Sequence, residues 1–287
     1  VGVNLKDYKL GFMIARKRDG NTLYATKDLA LARLKFNDYK IDRSIYVVGE
    51  EQKHHFKQVF KTLELMGFEQ ASQCHHLSYG LVVLPEGKMS SRDGTSVGFA
   101  ELRRVIADEL DAILKKYEGD WSPEEIAATS HKLCDGVIKH GMLATDPNKQ
   151  IVFDLANWTS FEGNSGPYLM YTYSRTRSIV EKAKAQGIAP DTQASDRLTH
   201  QSEKELLRYL ADFNATALTA CETYAPTTLV THLYNMCRAF NRFYADVSVL
   251  KAEDDQLEKA RLALVEAFSR TLHQGLDLLG ITPPDRM

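Results

Sequence analysis

The chain has 287 residues, with 44% hydrophobic and 26% charged residues, a composition that fits a folded globular protein and excludes a disordered or collagen-like one. Lys+Arg 36 against Asp+Glu 38 leaves a net charge of -2, which neither demands nor excludes a nucleic-acid partner, because binding needs a local basic patch. No apolar run reaches the length of a membrane helix. The Cys 4 stand alone at 74, 134, 221 and 237, so the pattern suggests neither a zinc ribbon nor a redox pair and fits a reducing cytosol.

The N-terminus, Val1-Gly2-Val3-Asn4, has neither an initiator Met nor a signal-peptide pattern, and the expectation is a chain that begins inside a longer protein. Phe12-Met13-Ile14-Ala15 reads as a short strand, and Arg18-Asp19-Gly20-Asn21 as a turn. Leu23-Tyr24-Ala25 reads as a strand end. Thr26 is then the expected N-cap of a helix whose first turn holds Asp28. Ile45-Tyr46-Val47-Val48 predicts a buried parallel strand. Gly49-Glu50-Glu51 leads from it into a helix with Phe56, Val59, Phe60 and Leu63 on one face. The alternation Leu77, Tyr79, Leu81, Val83 predicts one further strand. Strands and helices alternating with short connections predict doubly wound α/β architecture, with ligands at the carboxyl ends of the strands.

After Gly94 the pattern becomes helical. Phe99, Leu102, Ile106, Leu110 and Ile113 share one spacing, and Ser122-Pro123-Glu124-Glu125 is a helix start. Three stripes follow: Leu206, Leu210, Phe213, Ala217, Ala220 and Tyr224; then Leu229, Leu233, Met236, Phe240 and Phe243; then Leu257, Ala260, Leu264, Phe268, Leu272 and Leu276. They predict the packing faces of an all-helical bundle, stopped by Gly280 and Pro283-Pro284. Residues 187–202 predict an exposed connection.

Five stretches carry candidate chemistry. Gly87-Lys88-Met89-Ser90-Ser91-Arg92-Asp93-Gly94 offers cationic and hydroxyl donors on a glycine-flanked loop suited to polyphosphate, though it also fits a solvated hairpin. Tyr24 and Asp28 can face one crevice, where a carboxylate would pair with a guanidinium. The residues alone fit core packing and helix capping as well. Gln52, His54 and His55 open a helix, as a substrate site or a surface helix start would. Gly80, after His76 and Tyr79, predicts a close backbone approach, to a flat base or at a bulge. Tyr168, Tyr171 and Arg175 lie three and four apart on a helix entered through two glycines and a proline. Bases stack on such a face, and tyrosine packing explains the same pattern. No carboxylate–histidine set stands at a metal-ligand spacing, so no protein-held metal is expected.

Taken together, these stretches resemble the C-terminal portion of an arginyl-tRNA synthetase, a class I aminoacyl-tRNA synthetase, and the resemblance runs over essentially the whole chain. Lys88 to Arg92 is similar to the class I K-M-S-K-S signature in its K-M-S-x-R variant. Asp19 to Ala30 is similar to D-G-x-x-x-Y-x-T-x-D-x-A, and Tyr46 to Phe56 to Y-V-V-G-x-x-Q-x-x-H-F. Phe161 to Arg175 is similar to F-E-G-N-x-G-P-Y-L-Q-Y-x-x-x-R, with Met170 where glutamine is usual and Tyr173 where histidine is common.

The resemblance implies a partial Rossmann catalytic domain at 1–100, a helical connection at 101–160 and an α-helical anticodon-binding bundle at 161–287. It implies L-arginine bound by Tyr24, Asp28 and Gln52, and ATP by His55, His76, Gly80, Leu81, Lys88 and Met89. Lys88, Ser90 and Arg92 would act in catalysis, with Mg²⁺ arriving on the ATP. Tyr168, Tyr171, Arg175, Tyr244 and Met287 would meet tRNA(Arg). A cytoplasmic monomer is expected. Two other readings stay open: a non-catalytic tRNA-binding module, and another class I synthetase, to which Asp28 would be of no use if its amino acid were neutral.

The family's H-I-G-H signature has no counterpart in the sequence, and neither His54-His55 nor His75-His76 fits it. The chain alone is therefore expected to give no arginine-dependent exchange of pyrophosphate into ATP, even with tRNA added; robust exchange would refute this.

Overall fold

The computed structural model describes residues 1–85, 87–88, 98–252 and 254–287, with 87 and 88 described by backbone alone. It divides into two compact units, Val1–Leu81 with Pro147–Gln150, and Val82–Asp146 with Ile151–Met287.

In the first unit, β1 (Gly2–Asn4) and β2 (Phe12–Ile14) pair antiparallel. Helix α1 runs Tyr24–Tyr39, one turn earlier than the sequence predicts. Leu23 caps it without a side-chain bond, and the Thr26 hydroxyl instead donates to the carbonyl of Ala15. Tyr24 is therefore the first helical residue and no strand end, and Asp28 lies beyond the first turn. Strand β3 (Ser44–Gly49) pairs in parallel with β4 (Cys74–Tyr79), and α2 (Lys53–Leu65) makes the crossover. Tyr46, Phe56, Val59 and Leu63 meet Leu29, Ala32 and Phe36 of α1 in one apolar core. The Tyr46 ring lies 5.0 Å from Phe56 and 5.3 Å from Phe60. The other face of β3 is open: Ile45 is 44% and Val47 63% exposed.

The single strand expected through Val83 is two. A Cβ at Gly80 would lie 1.8 Å from the carbonyl oxygen of Lys149 and 2.5 Å from its carbon. The predicted close approach is thus to the chain's own backbone. It ends β4, leaving Tyr79 and Leu81 half exposed where the alternation would bury them.

In the second unit, β5 (Val82–Leu84) pairs antiparallel with β6 (Gly87–Lys88) and parallel with β7 (Ile151–Val152). Helices α3 (Phe99–Leu114), α4 (Pro123–Leu143), α5 (Leu155–Thr159), α6 (Gly166–Ala185), α7 (Gln201–Glu222), α8 (Pro226–Asp246) and α9 (Asp255–Leu278) make the rest. The α8 stripe is wholly buried, and Phe240 stacks on Phe268 of α9 with centroids 4.2 Å apart. On α3 the buried set is Leu102, Ile106, Leu110 and Leu114; Phe99 is exposed, because the helix only begins there. Tyr224 falls past the end of α7, with a φ of 54°. The 187–202 connection is anchored by buried Ala194 and Leu198, so it is not merely exposed.

The starts of these helices follow from their caps. Ser122 and Glu125 form a reciprocal capping box, and Ser165 and Asp254 accept from the first-turn amides of α6 and α9. Glu203, 1% exposed, both caps α7 through the His200 amide and pairs with Arg261 of α9 at 2.7 Å. Such a buried pair is costly to break on one side only.

His140 of α4 is buried, and its Nε2 donates to Asn164 Oδ1 at 3.1 Å. Burial lowers its pKa from 6.5 to about 4, against the opposing pull of the Asn164 bond. Between those values the unfolded chain binds a proton that the native imidazole refuses, so stability falls as pH falls across that window, by about 3 kcal/mol in full. Urea unfolding from pH 7 to 4.5 is expected to show this slope. His140→Gln should remove most of it, leaving the smaller shares of His75 and His232, whose pKa values burial also lowers.

Candidate functional site

Tyr24 and Asp28 lie in the first half of α1, and Gln52 and His55 where α2 begins. Gln52 ends a single 3₁₀ turn, Glu50–Gln52, that joins β3 to α2, and it is exposed. A Cβ at Gly49 would lie 2.5 Å from the Glu51 carboxylate, the movable end of an exposed side chain. Tyr24 is 81% exposed, with the Lys27 ammonium 6.0 Å from its ring centre. Asp28 and His55 are in direct contact, Nε2 to Oδ2 at 2.6 Å, each side chain 26% exposed. A carboxylate oxygen accepts, so Nε2 carries the proton of this bond.

His76 turns back into its own sheet. Its Nε2 donates to the Val48 carbonyl at 3.0 Å, and its ring lies 4.8 Å from Phe56. Beside it, Asn148 Oδ1 accepts from Ser78 Oγ at 2.8 Å and from Lys53 Nζ at 3.2 Å. No periodicity or motif marks Asn148. Its separation of 70 residues from Ser78 hides it from any local pattern. Of the phosphate loop, only the backbone of Lys88 is described, paired with Val83; the Lys88 side chain, Met89, Ser90 and Arg92 lie outside the described residues.

The second candidate surface is on α6. The Ser165 cap and Pro167 set its start, which puts Tyr168, Tyr171 and Arg175 on one face. Tyr171 is 40% exposed and meets Phe161 edge-on. Asn241 of α8 links the other two. Its Nδ2 donates to Tyr168 Oη at 2.9 Å, and its Oδ1 accepts from Arg175 Nη1 at 3.5 Å. The Arg175 guanidinium sits 4.5 Å over the ring of Tyr244, which fixes its plane by cation–π attraction. Burial raises the pKa of Tyr168, and the Asn241 bond pulls it back only in part, so the hydroxyl keeps its proton. Met287 packs, partly buried, against the helical core.

The structure therefore joins Tyr168 and Arg175 through a residue the sequence reading passed over. Asn241 does carry a signal: it stands between Arg238 and Tyr244, off the stripe of Phe240 and Phe243. Met170 and Tyr173, the departures from the expected segment, are both buried. They face the core and leave the exposed residues of α6 untouched.

Comparison with known proteins places this geometry in a family. The model for "tRNA synthetases class I (R), catalytic domain" matches residues 3–155. The chain belongs to the arginyl-tRNA synthetase family. A second model, "DALR anticodon binding domain", matches residues 169–287 of this synthetase chain. The arginine–tRNA ligase of Bdellovibrio bacteriovorus is 43% identical over 289 residues, covering 100% of this chain and 49% of that protein. That of Parabacteroides distasonis is 36% identical, covering 94% of this chain and 46% of its own length. The arginyl-tRNA synthetase structure from Thermus thermophilus superposes with a TM-score of 0.86 at 29% identity, over 96% of this chain and 51% of that one. The chain thus spans about half the length of the relatives it matches.

Proposed function

We propose that the chain supplies part of the arginine-activating machinery, and the tRNA-reading surface, of an arginyl-tRNA synthetase acting in the cytoplasm as a monomer. The observation that carries this is the class I (R) catalytic match over residues 3–155, within which Asp28 stands at the mouth of the βαβ unit. Residues 1–100 hold the substrates, 101–160 connect, and 161–287 bind the anticodon loop of tRNA(Arg). Tyr24, Asp28 and Gln52 recognise L-arginine. A carboxylate suits a guanidinium, which presents paired N–H groups and always carries charge.

His76, Gly80 and Leu81 border the adenosine of ATP, and Lys88 with Met89, Ser90 and Arg92 holds the phosphates. The arginine carboxylate attacks the α-phosphorus, pyrophosphate leaves, and the arginyl group moves from the adenylate to the terminal adenosine of tRNA. Lys88 stabilises the charge that develops on the leaving group. Among the described residues no three carboxylate, imidazole or thiol groups gather as a metal cage. Mg²⁺ comes bound to the ATP phosphates. No described helix is long and apolar enough to cross a membrane.

Two outcomes test the proposal. In a full-length synthetase built around this chain, Asp28→Ala should raise the KM for arginine by about a hundredfold or more, the loss of a charge-paired hydrogen bond, and leave the KM for ATP within about twofold; an unchanged arginine KM would remove the pocket. In filter binding of the 287-residue chain to tRNA(Arg), Arg175→Ala should weaken binding and lower the salt slope by about one. Asn241→Ala should weaken it with the slope retained, since it frees Arg175 without removing charge. Unaltered affinity in both variants would count against this face.

A further inference from the structure

Asp28 and His55 belong to different helices, 27 residues apart, yet each is the closest polar partner of the other at 2.6 Å. Their neighbours hold them there. Ala25, Leu29 and Ala32 of α1 are buried on either side of Asp28, and Phe56 and Val59 of α2 are buried beside His55. The His55 ring is itself fixed edge-on against Phe56, with centroids 5.3 Å apart. Family resemblance puts His55 with ATP; its bond in this structure points elsewhere.

We propose that His55 is a positioning residue of the arginine pocket, holding the Asp28 carboxylate in the orientation that receives the substrate guanidinium. The proposal rests on the reading of Asp28 as the arginine carboxylate. A carboxylate has two oxygens and four acceptor positions, and His55 takes one of them on Oδ2. Among the described residues Oδ1 accepts no hydrogen bond, so it remains for a ligand. The imidazole N–H holds Oδ2 in place from the next helix. It also fixes the Asp28 rotamer before arginine arrives, so the ordering cost is met by folding and not by binding. Asn or Gln at residue 55 could donate in the same way only with a longer reach or a shifted helix; glutamine is the closer match to Nε2.

The test is an NMR titration of the full-length synthetase built around this chain, unaltered and as His55→Ala, His55→Gln and Asp28→Asn, with L-arginine, the uncharged isostere L-citrulline, and ATP. L-arginine is expected to move the His55 ring nitrogens together with the backbone amides of Tyr24 and Asp28, while L-citrulline does not. Arginine affinity should fall about tenfold in His55→Ala, the share of one orienting hydrogen bond, and return to within about threefold in His55→Gln. If arginine moves the Asp28 amide but not the His55 ring, and His55→Ala binds it normally, the positioning role is overturned and the pocket stands. If ATP and not arginine moves the His55 ring, His55 belongs to the nucleotide and the role is likewise overturned. If arginine moves nothing in any variant, the pocket reading falls and takes the positioning role with it. Thermal melts of each variant check folding, and if His55→Ala fails to fold, His55→Gln and the ring signals of the unaltered synthetase decide.

Discussion

One close approach governs how this chain is laid out. The carbonyl of Lys149 occupies the space that any side chain at residue 80 would need. Only glycine permits it. The contact stops β4, and Val82–Leu84 pair with different partners in another sheet. It also keeps Pro147–Gln150 within the first unit, although the residues on both sides of that segment belong to the second. Asn148 strengthens the attachment by accepting from both Ser78 and Lys53. Backbone and side chain of one short segment thus close the carboxyl end of the parallel pair, which is where α/β sheets present their ligands.

The second unit depends on a different device. Its helices are long, and their apolar faces meet in one core that includes Leu133, Leu169, Met236, Phe240 and Phe268, all buried. Thr176 enters that core paired with Ser269 at 2.8 Å. With the inner faces committed to packing, the outer face of α6 is left to be organised by α8. There an amide and an aromatic ring hold one guanidinium in a set plane. A cation held flat and half shielded loses less freedom on meeting a base or a phosphate than one waving on a flexible stem.

Much of this was legible from residue order. The three helical stripes appear as packing faces because a 3.6-residue period needs no distant information, and the α8 stripe is buried at every position named. The parallel strand at 44–49 was visible in its β-branched run. What escaped was non-local or depended on a competing bond. Thr26 was expected to cap α1, but the Ala15 carbonyl lies within its reach, and the helix starts at Tyr24. The break at Gly80 needs a residue far along the chain. Of the candidate site, Asp28, Tyr168 and Arg175 were named by spacing or by resemblance. Asn148, Asn241 and the pairing of Asp28 with His55 were not, because each joins elements whose proximity only the fold creates.

Met170 offers a last lesson about divergence. Its side chain is wholly buried against α4, where a Cβ on Gly136 would lie 2.3 Å from its terminal methyl. The two positions therefore share one volume. A glutamine at 170 would bring an amide into an apolar cleft, and an alanine at 136 would collide with the methionine. Over time, such positions must drift as a couple, each change waiting on the other. The unfamiliar letter at Met170 then belongs to an interior joint between two helices.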